Sequence, residues 1–293
     1  MSSYNLHVVR YNGFTQLRIY GRTIHKDDDN EYEKKDKKEL NEIEKIFACD
    51  ESCYDVDEET YYNIHQTAIH LNALNERREA NNERSIKVSL NRTKQMIYEY
   101  ALNNKWEYFV TLTFDSKKIN FERTDYKKCV ATFKKWIHNQ KDRKCPDIMY
   151  LCIPELHKDG AVHFHLLMAQ CGNLEFVDSG HKIKGMKIYN LKNWTYGFSS
   201  ASVVQDSVRC ANYVTKYISK DLCIHEKHMS RYYKSSNLNT CEHEYYNLPY
   251  EEIDAIIKSS DVEYMKTQRI EAAEQMVHYI TVTNEVRIGE EHE

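Results

Sequence analysis

The spacing of apolar residues changes several times along this chain, and each change marks an element. Near the start, LHVVRYNGFTQLRIYGR alternates apolar and polar positions around Asn12-Gly13. Alternation at period two sends successive side chains to opposite faces of a strand, and Asn-Gly suits a tight reversal, so a β-hairpin is predicted. The next stretch, HKDDDNEYEKKDKKELNEIEK, is charge-dense and reads as loop running into a surface helix. Residues 58–102 hold no Gly or Pro and read as helical. From Trp106 the pattern shifts to WEYFVTLTF, whose β-branched and aromatic residues predict a buried strand. Residues 123–141 then place Tyr126, Val130, Phe133 and Ile137 along one helical face, with lysines opposite. MYLCIPE (Met149–Glu155) and AVHFHLLMA (Ala161–Ala169) read as two strands joined through Lys158-Asp159-Gly160. Residues 206–221, DSVRCANYVTKYISKD, read as a helix with Asp206 as N-cap. Residues 249–277 read as a final helix, and HYITVTNEVRI after it as a strand. Strand, helix, hairpin and helix predict an α+β fold with helices on an antiparallel sheet. The chain divides into an accessory segment (1–83), a central domain (84–240) and a C-terminal extension of helix and strand (241–293).

Composition narrows the class. A hydrophobic share of 41% with 29% charged residues describes a soluble globular protein. No apolar run approaches the ~20 residues that span a bilayer, and MSSYNLHVVRYNG lacks the apolar core of a secretory signal. Nine cysteines without tight pairing fit a reducing compartment. These features predict a cytoplasmic protein with no membrane partner. Charge is strongly segregated. Residues 26–60 carry 15 acidic and 6 basic side chains, and residues 242–293 carry 13 and 4. Between them, residues 84–144 carry 15 basic and 6 acidic side chains, and residues 180–234 carry 10 and 3. A basic middle between acidic flanks points to a polyanion bound at the centre.

Candidate chemistry lies in that middle. A three-residue loop at Lys158–Gly160 sets Glu155 opposite His163, and period two puts His163 and His165 on one face. Two imidazoles and a carboxylate converging there form a three-ligand divalent-metal site with open positions for substrate oxygens. A slip of one residue would move Glu155 to the other face. With 14 histidines in the chain, HxH alone is unsurprising; the glutamate and the turn give it weight. Downstream, Tyr213-Val-Thr-Lys216 repeats as Tyr217-Ile-Ser-Lys220. On a helix, Tyr213 and Tyr217 share a face with Lys216 and Lys220 beside it. A tyrosine becomes a nucleophile when its proton is removed and its charge stabilised, and ammonium groups favour the phenolate. With 23 tyrosines, the spacing alone says little.

Taken in order, FVTLTF (Phe109–Phe114), PELHKDGAVHFHLLM (Pro154–Met168) and YVTKYISK (Tyr213–Lys220) resemble the motifs of HUH single-strand endonucleases. The doubled tyrosine is most similar to rolling-circle replication initiators of small bacteriophages and Gram-positive plasmids. RYYKSSNL (Arg231–Leu238) resembles the segment that follows the tyrosine helix in that family. The resemblance covers residues 84–240. It implies a split β-α-β, RRM-like fold, with His163, His165 and, less securely, Glu155 as ligands for Mg²⁺ or Mn²⁺. It implies Tyr213 and Tyr217 as nucleophiles, with Lys216 and Lys220 assisting at the phosphate. The implied reaction nicks and rejoins single-stranded origin DNA through a 5′-phosphotyrosine, leaving a 3′-OH that primes a host polymerase. No GxxxxGK[ST] occurs, so unwinding falls to a host helicase or to supercoiling.

Other readings stay open at this point. An RRM-like module could bind nucleic acid without catalysis. A transposase or relaxase is the alternative within the HUH chemistry, disfavoured by the doubled tyrosine and by the motif order. Cys223, His225, His228, Cys241 and His243 suggest zinc, but their spacings match no common zinc knuckle.

Overall fold

A computed structural model describes residues 3–25, 76, 83, 85–217, 230–270, 275–286 and 288. The described chain is α+β, built on two antiparallel sheets. β1 (Ser3–Tyr11) and β2 (Phe14–His25) form the hairpin predicted at Asn12-Gly13, where Gly13 takes a positive φ of 104°. A helix α1 covers residues 85–103. β3 (Tyr108–Thr113), α2 (Tyr126–Arg143), β4 (Met149–Leu156) and β5 (Val162–Ala169) follow. Then come β6 (Phe176–Ile183), β7 (Met186–Leu191), β8 (Ser199–Val203) and α3 (Ser207–Val214). The last elements are β9 (Tyr233–Lys234), β10 (Glu242–Tyr246), α4 (Tyr250–Lys258), β11 (Val262–Ile270) and β12 (Gln275–Val282).

The larger sheet runs β6-β7-β8-β3-β5-β4-β9. β5 pairs antiparallel with both β3 and β4, so those two are parallel to each other with β5 between them. With α2 as the crossover, this is a split β-α-β unit. Each face has its own core. Val110, Leu112, Cys152, Phe164 and Leu166 meet Val130, Phe133 and Ile137 of α2. The N-cap of α2 is Asp125, whose carboxylate accepts from the Lys128 amide. On the opposite face, Leu151, Ile153 and Leu167 meet Ile97 and Ala101 of α1 and Ala211 and Val214 of α3. Alternation along β5 therefore divides one strand between two cores, and the histidines belong to the α1/α3 face.

The two chain ends form a single sheet, ordered β10-β1-β2-β12-β11. Ile253 of α4 packs on it beside Leu6, Val8, Leu17 and Ile280. Expectation and structure differ here. The helix expected over 249–277 stops at Lys258, and Val262–Ile270 is a strand paired with β12. β11 is an edge strand whose described side chains are all exposed, so no two-residue burial rhythm marks it in the sequence. A second difference concerns α3. The α-helix ends at Val214 and tightens into a 3₁₀ turn over Thr215–Tyr217. Asp206 caps it as expected, accepting from the Arg209 amide. No helix among the described residues is long and apolar enough to cross a membrane.

Candidate active site

The β4–β5 hairpin has the expected loop. The His157 amide donates to the Ala161 carbonyl over 2.9 Å, the Gly160 amide to the His157 carbonyl over 2.8 Å, and Gly160 has φ 79°. That loop fixes the register, which sets Glu155 opposite His163 and Ile153 opposite His165. On the other side, β3 sets Thr113 opposite His163 and Thr111 opposite His165.

His165 is not on an open face. It is only 5% exposed, because the Tyr217 ring lies on it with centroids 3.5 Å apart at 16°. The expectation that both imidazoles open outward is corrected by this cover, which comes from the 3₁₀ turn after α3. Glu155 Oε2 lies 2.7 Å from His165 Nε2, and Thr111 Oγ1 lies 3.2 Å from His165 Nδ1. The imidazole is thus held at both nitrogens. His163 is half-buried, and its ring stacks on His157 at 4.9 Å. Tyr213 meets Tyr217 edge-on at 5.3 Å and Phe109 at the same distance. Tyr213 is 45% exposed, whereas Tyr217 is partly buried. Lys216 Nζ stands 5.7 Å from the Tyr213 ring centroid. Lys220 lies outside the described residues, as do Cys223, His225 and His228.

The electrostatics follow from these contacts. The hydrogen bond to His165 holds the Glu155 carboxyl below its ordinary range. Desolvation, with His157 and His165 nearby, lowers the His163 pKa. Burial raises the Tyr217 phenol, and its hydrogen bond with Tyr213 and the charge on Glu155 act in the same direction. Metal ligation requires an ionised carboxylate and neutral imidazoles. Glu155 and His163 are biased toward those states, and mixed nitrogen and oxygen donors suit a divalent ion such as Mn²⁺. By donor chemistry the three residues therefore fit a divalent metal. Their spacing is tighter than a coordination sphere, since Glu155 and His165 are closed on one another.

Sequence reasoning missed Thr111 and Phe109, although period two from Thr113 puts both on the histidine face. It also missed Glu99. Among the described residues, Glu99, Cys241 and His243 have ligand atoms all within 4.8 Å of one another.

Residues 107–222 match the family model for a replication-associated protein of the ORF2 type. The matched segment runs from the start of β3 past Tyr217, and so contains Thr111, Glu155, His163, His165, Tyr213, Lys216 and Tyr217. No curated protein and no solved structure matches the chain.

Proposed function

We propose that this protein initiates replication by nicking and rejoining single-stranded DNA at an origin, with tyrosine as nucleophile. One observation carries the reading: within the segment similar to a replication-associated family, a tyrosine ring covers a Glu155–His165 pair on the HxH strand. A Mg²⁺ or Mn²⁺ ion held by Glu155, His163 and His165 would polarise the scissile phosphate and offset the charge of the in-line transition state.

The chain's own groups do the rest. Thr111 orients His165 by accepting its Nδ1 proton, which leaves Nε2 as the donor atom. Tyr217 keeps its proton while Glu155 is uncompensated, so neutralising that carboxylate activates the phenol. The phenolate attacks phosphorus, the P–O3′ bond breaks, and the 3′ oxygen takes up a proton to become a free hydroxyl. The phosphotyrosine retains the energy of the broken diester, so rejoining needs no nucleotide. Tyr213, one turn away, supplies a second nucleophile for the strand displaced after one round. Lys216 holds phosphate as a point charge. A host polymerase extends the 3′-OH, and a host helicase opens the duplex.

The test is incubation of purified protein with Mn²⁺ and 5′- or 3′-labelled single-stranded origin DNA, read on denaturing gels. The expected result is metal-dependent cleavage with protein covalently attached to the 5′ side of the break. Binding without cleavage, unaffected by chelator, would instead make the protein a non-catalytic nucleic-acid module.

A further inference from the structure

A second cluster of ligating groups lies away from the tyrosines, where the terminal sheet meets α1. Glu99 comes from α1, Cys241 immediately precedes β10, and His243 lies within β10. His243 Nε2 is 3.4 Å from Cys241 Sγ and 3.4 Å from Glu99 Oε2. Zinc at about 2.3 Å from sulfur and about 2.1 Å from nitrogen and oxygen makes tetrahedral edges of roughly 3.4–3.6 Å. The observed separations already match those edges.

The outer contacts fit as well. Glu99 Oε1 accepts from Gln95 at 2.7 Å and from Arg18 at 3.1 Å, which leaves Oε2 facing the cysteine and histidine. His243 Nδ1 lies 2.9 Å from His7 Nε2, and His7 is only 6% exposed. A proton on Nδ1 donated to His7 fixes the tautomer that presents the Nε2 lone pair to the cluster. Metal-binding histidines and carboxylates are held by outer partners in this way. A cleft of about 830 Å³ borders the three residues and gives an ion and one water access.

The geometry points to a zinc site formed by Cys241, His243 and Glu99, with water in the fourth position and His7 as the positioning residue. A thiolate, an imidazole and a carboxylate suit Zn²⁺ better than Mg²⁺. Zinc binding displaces the thiol proton, and burial beside Glu99 pushes the thiol up to about 12 in the metal-free protein. The ion joins α1, which packs beneath the histidine face, to the sheet made by the two chain ends. Its role is structural. The proposal does not depend on the nicking chemistry.

Cobalt is the probe, because sulfur ligation gives a near-ultraviolet charge-transfer band that oxygen and nitrogen donors do not. Full-length protein titrated with Co²⁺ is expected to develop this band at one equivalent and lose it on adding Zn²⁺. Cys241→Ser should abolish the band and the zinc-dependent rise in melting temperature, while Glu155→Gln retains both. His7→Gln should keep the band but weaken zinc affinity about 10–100-fold. Absence of the band in wild-type protein, or a band that survives Cys241→Ser, would overturn the site. If Cys241→Ser does not fold, His243→Gln replaces it, with loss of the band as support and an unchanged band as refutation.

Discussion

Glu155–His165 and Glu99–Cys241–His243 use similar donors, yet they are built in opposite ways. The first comes from one hairpin, and its donors are closed on each other at 2.7 Å beneath a tyrosine ring. The second gathers parts from separate stretches of chain and holds its donors 3.4 Å apart, with outer partners occupying the atoms that do not face inward. Contact at hydrogen-bond distance stores a site whose groups must part to admit an ion and a phosphate. Separation at a coordination edge describes a site shaped before the ion arrives. The contrast assigns change during turnover to the first cluster and permanence to the second.

The largest expected effect separates the two outright. The double change Tyr213→Phe, Tyr217→Phe should reduce cleavage and the covalent adduct to background, while the sulfur-to-cobalt band stays intact. Cleavage that persists in this variant would remove the tyrosines from the chemistry. Next in size is Arg18→Met. Arg18 and Glu99 form an ion pair at 3.1 Å with both side chains under a tenth exposed. Removing one partner of a buried pair costs about 3–5 kcal/mol, because the other charge is left uncompensated. Zinc on Glu99 supplies an alternative countercharge, so the loss, measured by urea unfolding, should shrink markedly in zinc-loaded protein. An equal loss with and without zinc would place the ion elsewhere.

The same contrast explains what could be read in advance. The Glu155–His163 register was legible because a short loop fixes it and the side-chain period is two. The apolar face of α2 was legible for the matching reason at period 3.6. Nothing local announced that His7 would meet His243, since that contact joins residues 236 positions apart. The pairing of β1 with β10 and of β2 with β12 is long-range in the same way. β11 was read as helix because an edge strand with exposed faces has no burial rhythm, and its partner β12 determines its form. The cover over His165 escaped because the turn that places Tyr217 depends on packing against Phe109 and the sheet, not on helical spacing alone.

A smaller effect is expected at Thr111. Thr111→Val keeps shape but removes the contact to His165 Nδ1. Loss of such an outer partner weakens metal binding about 10–100-fold. Cleavage should therefore require correspondingly more Mn²⁺, with little change in rate at saturation. A lowered saturating rate with an unchanged Mn²⁺ requirement would mean that Thr111 serves the substrate, not the ligand.

The smallest effect concerns protons. In metal-free protein the His163 imidazole titrates below the ordinary value of about 6.5, because it is desolvated and stands beside His157 and His165. Between the folded and unfolded values the unfolded chain binds a proton that the fold excludes. Stability from this group is therefore complete above about pH 6.5 and declines as pH falls toward the folded value. Glu155 acts in the same direction at lower pH: its folded pKa is depressed, so its contribution fades as pH falls through that value. His157→Ala removes one neighbouring charge but also uncovers the His163 ring, and both changes favour the imidazolium. The His163 midpoint, followed by NMR of the imidazole protons, should rise in that variant while the His243 signal stays in place. A His163 midpoint unchanged by His157→Ala would assign the shift to the sheet and its cover alone.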